Sequence, residues 1–210
     1  GRHGRDQDYA SLANDLGFAA VIVDSLSPRG IGKLGAAGVC GGVQLRGDQR
    51  AADLAATLDY LASRSDIDAS SIRLVGWSHG GWSILELVDE DLDNWAARMT
   101  PAGQQALSEL DALMLVYPYC ADDHVLNANA LSATRLHLVV VRDDQSVDEE
   151  VCLDVINRLK RQGGEASVTI LDGTRHAFDT MPVDAMNDNE QLFSRVAQAL
   201  FIDFLQGPAP

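Results

Sequence analysis

Residues 74–83 read LVGWSHGGWS, and the fold turns on how their centre, Gly76-Trp77-Ser78-His79-Gly80, is read. The stretch follows directly on a short apolar run that begins at Ile72. Gly and Ser are common turn residues, so an ordinary turn satisfies the pattern. The same five residues also suit a nucleophile elbow, a sharp strand-to-helix turn that holds a serine hydroxyl up for attack. The crowded, strained backbone of an elbow calls for small residues two positions either side of the serine. Gly76 and Gly80 occupy those positions. Five residues do not choose between the readings, and the surrounding chain has to.

That chain alternates between two periods. Tyr9, Leu12, Ala13 and Leu16 recur at helical spacing and Gly17 stops them. Phe18 to Val23 is a continuous apolar run ending at Asp24, the pattern of a buried parallel strand. Residues 25–45 are rich in Gly without periodicity, which predicts a long and therefore functional loop. Ala51, Leu54, Ala55, Leu58, Leu61 and Ala62 mark one face of an amphipathic helix. Ile72 to Gly76 then reads as a strand, with Ser78 opening a helix to about Val88. Residues 89–110 are polar and acidic and predict a small helical cap over the sheet edge.

Ala112–Val116, Leu136–Val141 and Ser167–Leu171 are further strands. Between the last two lies a helix carrying Cys152, Val155, Ile156 and Leu159 on one face, and Phe193 to Phe204 closes the chain as another helix. Strands alternating with helices call for a mostly parallel sheet with helices on both faces. Residues 1–210 are thus expected to form a single α/β domain.

Composition narrows the function classes. The 210 residues are 46% hydrophobic and 22% charged, values of a globular protein with room for a substantial core. No apolar run approaches the ~20 residues that cross a membrane. The formal net charge of −15 argues against nucleic acid, whose phosphates need a basic face. Cys40, Cys120 and Cys152 form no metal-ligand spacing. His124 beside Asp122 and Asp123 is only a weak metal-like cluster, and neither a metal nor an organic cofactor is called for.

In such sheets the active site lies at the carboxyl ends of the strands. Ser78, then Asp143 or Asp144, then His176 each fall just past a strand end. Serine is a weak nucleophile, so it needs a general base, and that base needs an acidic partner to set its tautomer. Ser, Asp, His is the chain order used by α/β-hydrolases. His79 matters for its backbone, because the N–H after the nucleophile is an oxyanion-hole donor. The bland alternatives are a turn serine, a surface histidine and solvated loop carboxylates.

With these residues in view, the chain resembles the dienelactone hydrolase family of α/β-hydrolases over nearly its whole length. The resemblance rests on residues 24–30 (DSLSPRG), Val39-Cys40-Gly41, residues 76–81 (GWSHGG), Tyr117-Pro118-Tyr119-Cys120 and Arg175-His176-Ala177-Phe178. It implies hydrolysis of a small carboxylic ester or lactone through an acyl-enzyme, with Ser78 as nucleophile, Asp143 as triad acid and His176 as base. It implies substrate contacts by Trp77 and by Arg29, which could clamp a substrate carboxylate; the alternative for Arg29 is a tie that holds the long loop. Relatives of this kind have further strands before the first helix and a His-Gly loop that supplies a second oxyanion donor. Here the sequence goes straight into a helix, so the expectation is either a fragment from which those strands are missing or Gly1–Gly4 as the remnant of that loop.

Cys120 and Cys152 match cysteines of the resembling subset, and both fall at the carboxyl edge of the expected sheet, within the ~6 Å Cα separation that a disulfide requires. Bonded, they would imply export to an oxidising compartment, periplasmic or extracellular; three free thiols would point to the cytoplasm. The functional alternatives are a non-catalytic ligand-binding module on a hydrolase scaffold, and an acyltransferase or peptidase with the same triad.

Overall fold

The computed structural model describes residues 4–32, 38–39, 43–89 and 92–207. Helix α1 (Gly4–Asp15) and helix α2 (Gly47–Ala62) precede strand β1 (Arg73–Trp77). Helix α3 (His79–Val88) follows at once, then the short helices α4 (Leu92–Ala96) and α5 (Pro101–Ser108) and strand β2 (Ala112–Val116). Strand β3 (Arg135–Val141), helix α6 (Glu149–Arg161), strand β4 (Ala166–Leu171) and helix α7 (Asp188–Gln206) complete the order.

The four strands pair in parallel in sequence order, β1-β2-β3-β4. Period-two alternation in β2 and β3 splits their apolar side chains between two cores. Leu113, Leu115, Leu138 and Val140 face α2, α3, α5 and α6. Met114, Val116, Val139 and Val141 face α1 and α7. β2 is buried along its whole length, so it reads as a continuous hydrophobic run. The result is three layers, helix, sheet and helix.

The helices begin where local chemistry says they should. Asp148 accepts from the Glu150 N–H, Glu149 and Glu150 occupy the first turn of α6, and Arg158, Lys160 and Arg161 lie in its last turn. Each sign suits the end of the helix dipole it sits on. Asn187 and Glu190 form a reciprocal capping box at the start of α7. Thr100 caps α5, with Pro101 at its first position.

One expectation is revised. Phe18–Val23 is not a strand: the residues leave α1 without joining the sheet, and Val21 is 54% exposed. An apolar run becomes a strand only where a partner edge supplies its backbone hydrogen bonds, and no described strand pairs with this one. The helices within residues 89–110, the stretch expected as a small cap, pack on α2 and α3. Thr100 bonds to Asp59 of α2, Trp95 donates to the Glu86 carbonyl of α3, and Met99, Ala106 and Leu107 enter the same core as α2 and α3.

A disulfide joins Cys120 to Cys152 with their Cα atoms 5.2 Å apart. It ties the loop after β2 to the first turns of α6. Cys40 lies outside the described residues. Among the described residues, no helix is long and apolar enough to cross a membrane. Closing a loop across 32 positions stabilises the chain by about 3 kcal/mol in the chain-entropy account. Cys152→Ser is therefore expected to lower the unfolding free energy by about that amount in urea titration, and thiol titration of the denatured, unreduced protein should find one free thiol.

Candidate active site

The carboxyl edge of the sheet carries the site. β1 ends at Trp77, and α3 starts two residues later, leaving Ser78 as the single hinge between them. Ser78 takes φ 49° and ψ −116°, a backbone that an L-residue adopts only under constraint from its surroundings. Two constraints are visible. The Ser78 N–H bonds to the Val116 carbonyl at 2.9 Å. A Cβ on Gly76 would lie 2.5 Å from the Gly80 carbonyl carbon and 2.6 Å from the Gly81 nitrogen, so β1 and α3 touch backbone to backbone. The turn is a nucleophile elbow in geometry as well as in sequence.

The glycine requirement is not symmetric, as the sequence pattern had implied. A Cβ on Gly80 would meet nothing within 4 Å. The crowded partner is Gly81, whose added Cβ would lie 2.6 Å from the Pro118 Cβ. One residue's difference follows from the helix: position 81 faces the neighbouring strand's exit loop, and position 80 faces away from it.

Ser78 Oγ lies 2.8 Å from His176 Nε2. His176 Nδ1 lies 2.7 Å from Asp144 Oδ2. A carboxylate can only accept, so Nδ1 carries the proton and Nε2 is left to accept from the serine hydroxyl. The Asp144 side chain is fully shielded and that of His176 is 16% exposed, so the pair works in a dry setting where its charge interaction is strong.

The carboxylate at the imidazole is thus that of Asp144, whereas Asp143 was expected there from the family resemblance. Asp143 takes a left-handed φ of 55°, its N–H bonds to Glu149, and it is exposed. That turn swings the next residue, Asp144, inward to the imidazole. Arg142 continues the ladder through its N–H to the Leu171 carbonyl, so the turn starts after it.

The other site residues named from sequence fare differently. As the first residue of α3, His79 has a backbone N–H without an intrahelical acceptor. Its side chain, unread in the sequence, is buried, with Nε2 donating to the Leu45 carbonyl at 2.8 Å and Nδ1 accepting from Arg50 at 3.1 Å. Burial holds its pKa below the ordinary histidine value.

Arg29 is committed elsewhere. Its two terminal nitrogens pair with Asp53 at 2.7 and 2.9 Å, and one of them also reaches the Ser25 carbonyl. It ties the loop to α2 and is not placed as a free substrate clamp. Trp77 turns its indole into the α1 face, against Tyr9 at 4.7 Å and beneath Arg5 at 4.8 Å, so it does not face the site. Strand alternation sends it to the face opposite α3. The Gly1–Gly4 oxyanion loop falls largely outside the described residues, and Gly4 itself opens α1. His124 is buried in structural bonds to the Ala121 N–H and Glu86. Among the described residues, no cluster of three or more His, Cys, Asp or Glu is placed to hold a metal ion.

Sheet order, elbow and strand-end residues define an α/β-hydrolase. The family model described as the prolyl oligopeptidase family matches residues 6–113, more than half of the chain, and the chain belongs to that family. It is 33% identical over 85 residues to a probable dipeptidyl-aminopeptidase B of Sclerotinia sclerotiorum. That match covers 40% of this chain and 9% of the relative, so the chain spans about a tenth of the relative's length.

Among solved structures it is similar to a dienelactone hydrolase-like promiscuous phosphotriesterase, P91, from metagenomic libraries. That match has a TM-score of 0.59 at 21% identity over 96% of this chain and 81% of the other. It is also similar to a thermophilic esterase of the planctomycete Thermogutta terrifontis, with a TM-score of 0.57 at 15% identity over 80% and 71% of the two chains. The α/β-hydrolase fold expected from sequence is the fold observed, and the first of these neighbours carries the dienelactone hydrolase-like name.

Two substitution pairs test this geometry. Gly76→Ala should cost about 3 kcal/mol or prevent folding, because the added methyl meets backbone that cannot yield. Gly80→Ala should leave stability within about 1 kcal/mol of wild type in the same denaturant titration. Asp144→Asn should slow ester hydrolysis on the order of a thousandfold or more, by losing the acceptor that sets the imidazole tautomer. Asp143→Asn should stay within a few fold, since Asn tolerates the left-handed backbone.

Proposed function

We propose that the protein is a serine hydrolase that cleaves small carboxylic esters or lactones. The observation that carries the reading is the unbroken relay from Ser78 Oγ through His176 to the buried Asp144 carboxylate. In this reading Ser78 attacks the carbonyl carbon while His176 Nε2 takes the hydroxyl proton. The carbonyl oxygen becomes an oxyanion facing the His79 N–H, and Asp144 stabilises the imidazolium that forms. Collapse expels the leaving alcohol, which receives the proton from His176. Water then repeats the sequence on the acyl-enzyme, regenerating Ser78 and releasing the acid. Every proton and electron pair in the cycle is carried by these side chains, the substrate and water.

The family match and the dipeptidyl-aminopeptidase relative favour a second reading, in which the same relay cleaves a peptide bond. The two differ in what must be protonated on leaving, an alcohol or an amine, and in the pocket that holds the acyl side. The Cys120–Cys152 bond supports an oxidising compartment for either.

Wild-type protein is expected to hydrolyse short p-nitrophenyl esters and to be labelled by a fluorophosphonate at Ser78. Ser78→Ala should abolish both, with unchanged circular dichroism, and full activity in that variant would overturn the assignment. Faster turnover of an aminoacyl-prolyl p-nitroanilide than of the esters, measured on the same preparation, would replace the esterase reading with the peptidase one.

A further inference from the structure

Behind the histidine lies a buried charged cluster that the proton relay does not use. Asp179 comes three residues after His176, and its side chain is 1% exposed. The Tyr117 hydroxyl donates to Asp179 Oδ1. Arg5 of α1 donates from Nη1 to the same hydroxyl at 3.0 Å, and that nitrogen lies 3.6 Å from Asp179 Oδ1. The remaining guanidinium nitrogens hold Asp6, while the plane lies over Trp77.

Burial and the adjacent Asp179 push the Tyr117 hydroxyl well above its ordinary pKa, so it stays protonated and keeps donating. Apolar side chains of similar volume would fill this space at lower desolvation cost, so filling space does not explain the charges.

Their position relative to His176 does. The Tyr117 ring packs against the imidazole with centroids 4.7 Å apart, and against Phe178 at 5.6 Å. Tyr117 itself sits at φ 37°, held by its N–H to the Val139 carbonyl. The turn after His176 passes through Ala177 at φ 56° and closes where the Thr180 N–H and hydroxyl both reach the Ala177 carbonyl. The histidine therefore stands on a tight turn with two anchors. One is Asp144, which touches the ring, and the other is Asp179, which fixes the turn to β2's exit and to α1.

We propose that Arg5, Tyr117 and Asp179 form a positioning network that sets the His176 imidazole between Ser78 and Asp144. The proposal rests on the reading of those three residues as a proton relay. None of the network residues exchanges a proton with substrate. They act by holding the ring, and a displacement of about an ångström at a proton-transfer distance costs large factors in rate.

The test uses Tyr117→Phe, Asp179→Asn, Arg5→Met and Arg5→Lys in the full chain. It reads kcat and KM on a p-nitrophenyl ester, the rate of fluorophosphonate labelling, and the downfield proton resonance of the His176 Nδ1–H. Tyr117→Phe and Asp179→Asn should each lower kcat on the order of tenfold or more with KM nearly unchanged. Labelling should slow in parallel, and the resonance should broaden or vanish. Arg5→Lys should retain more of each signal than Arg5→Met.

A merely structural role would lower the melting temperature but leave labelling per folded molecule and the resonance unchanged, and that result overturns the proposal. If Asp179→Asn does not fold, Tyr117→Phe decides alone, because it keeps the ring and removes only the hydroxyl. If wild type itself is not labelled, the relay reading fails. The resonance still decides the network, since it needs no turnover.

Discussion

The contact between the backbone of β1 at Gly76 and the backbone of α3 at Gly80 and Gly81 is the constraint from which the site follows. With no side chain between them, strand and helix meet closely enough that the one residue joining them must take a left-handed backbone. That residue is Ser78. Its strain is balanced by a hydrogen bond to β2 and by the close fit of Pro118 against Gly81. The nucleophile is therefore held by two strands and a helix rather than by a loop. The same geometry leaves the His79 N–H at the start of α3 without an intrahelical partner.

Parallel pairing does the rest of the positioning. Because β1, β2, β3 and β4 run in one direction, their exits share one edge. Ser78 leaves β1, Tyr117 leaves β2, Asp144 follows β3 and His176 follows β4. Each exit loop carries one non-glycine residue at positive φ, Ser78, Tyr117, Asp143 and Ala177. Four sharp turns at one edge bring together residues as much as 98 positions apart. The disulfide joins two of these exits, because Cys120 follows Tyr117 and Cys152 lies on the helix that begins after the Asp144 turn.

Burial gives the assembled groups their chemistry. Asp144 is shielded and touches the imidazole, and Asp179 is shielded three residues further on. Arg5 keeps its charge against the penalty of its burial, with the Asp179 and Asp6 carboxylates beside it. The histidine is thus flanked by one carboxylate that contacts its ring and another held away from it by a tyrosine. This division needs α1, which brings Arg5 from the far end of the chain.

The elements with strong period, β1 to β4 and α2, α3, α6 and α7, were legible from apolar spacing, as was the alternation that demands a parallel sheet. Ser78 and His176 were legible too, because an elbow pentapeptide and a histidine past the last strand are local patterns. The choice of Asp144 over Asp143 was not, since two adjacent carboxylates differ only in which one a left-handed turn swings inward. Arg29 and Trp77 were equally open: the first depended on Asp53 lying within reach, and the second on which face of the sheet received its ring. The Phe18–Val23 run shows the converse, an apolar stretch with strand composition that pairs with no described strand. Local chemistry decides which segments extend, coil or turn, because those choices are made between neighbours in the chain. Which of two adjacent acids, which arginine donor and which glycine matter are settled only by residues far away in sequence. Those contacts exist once the sheet has closed.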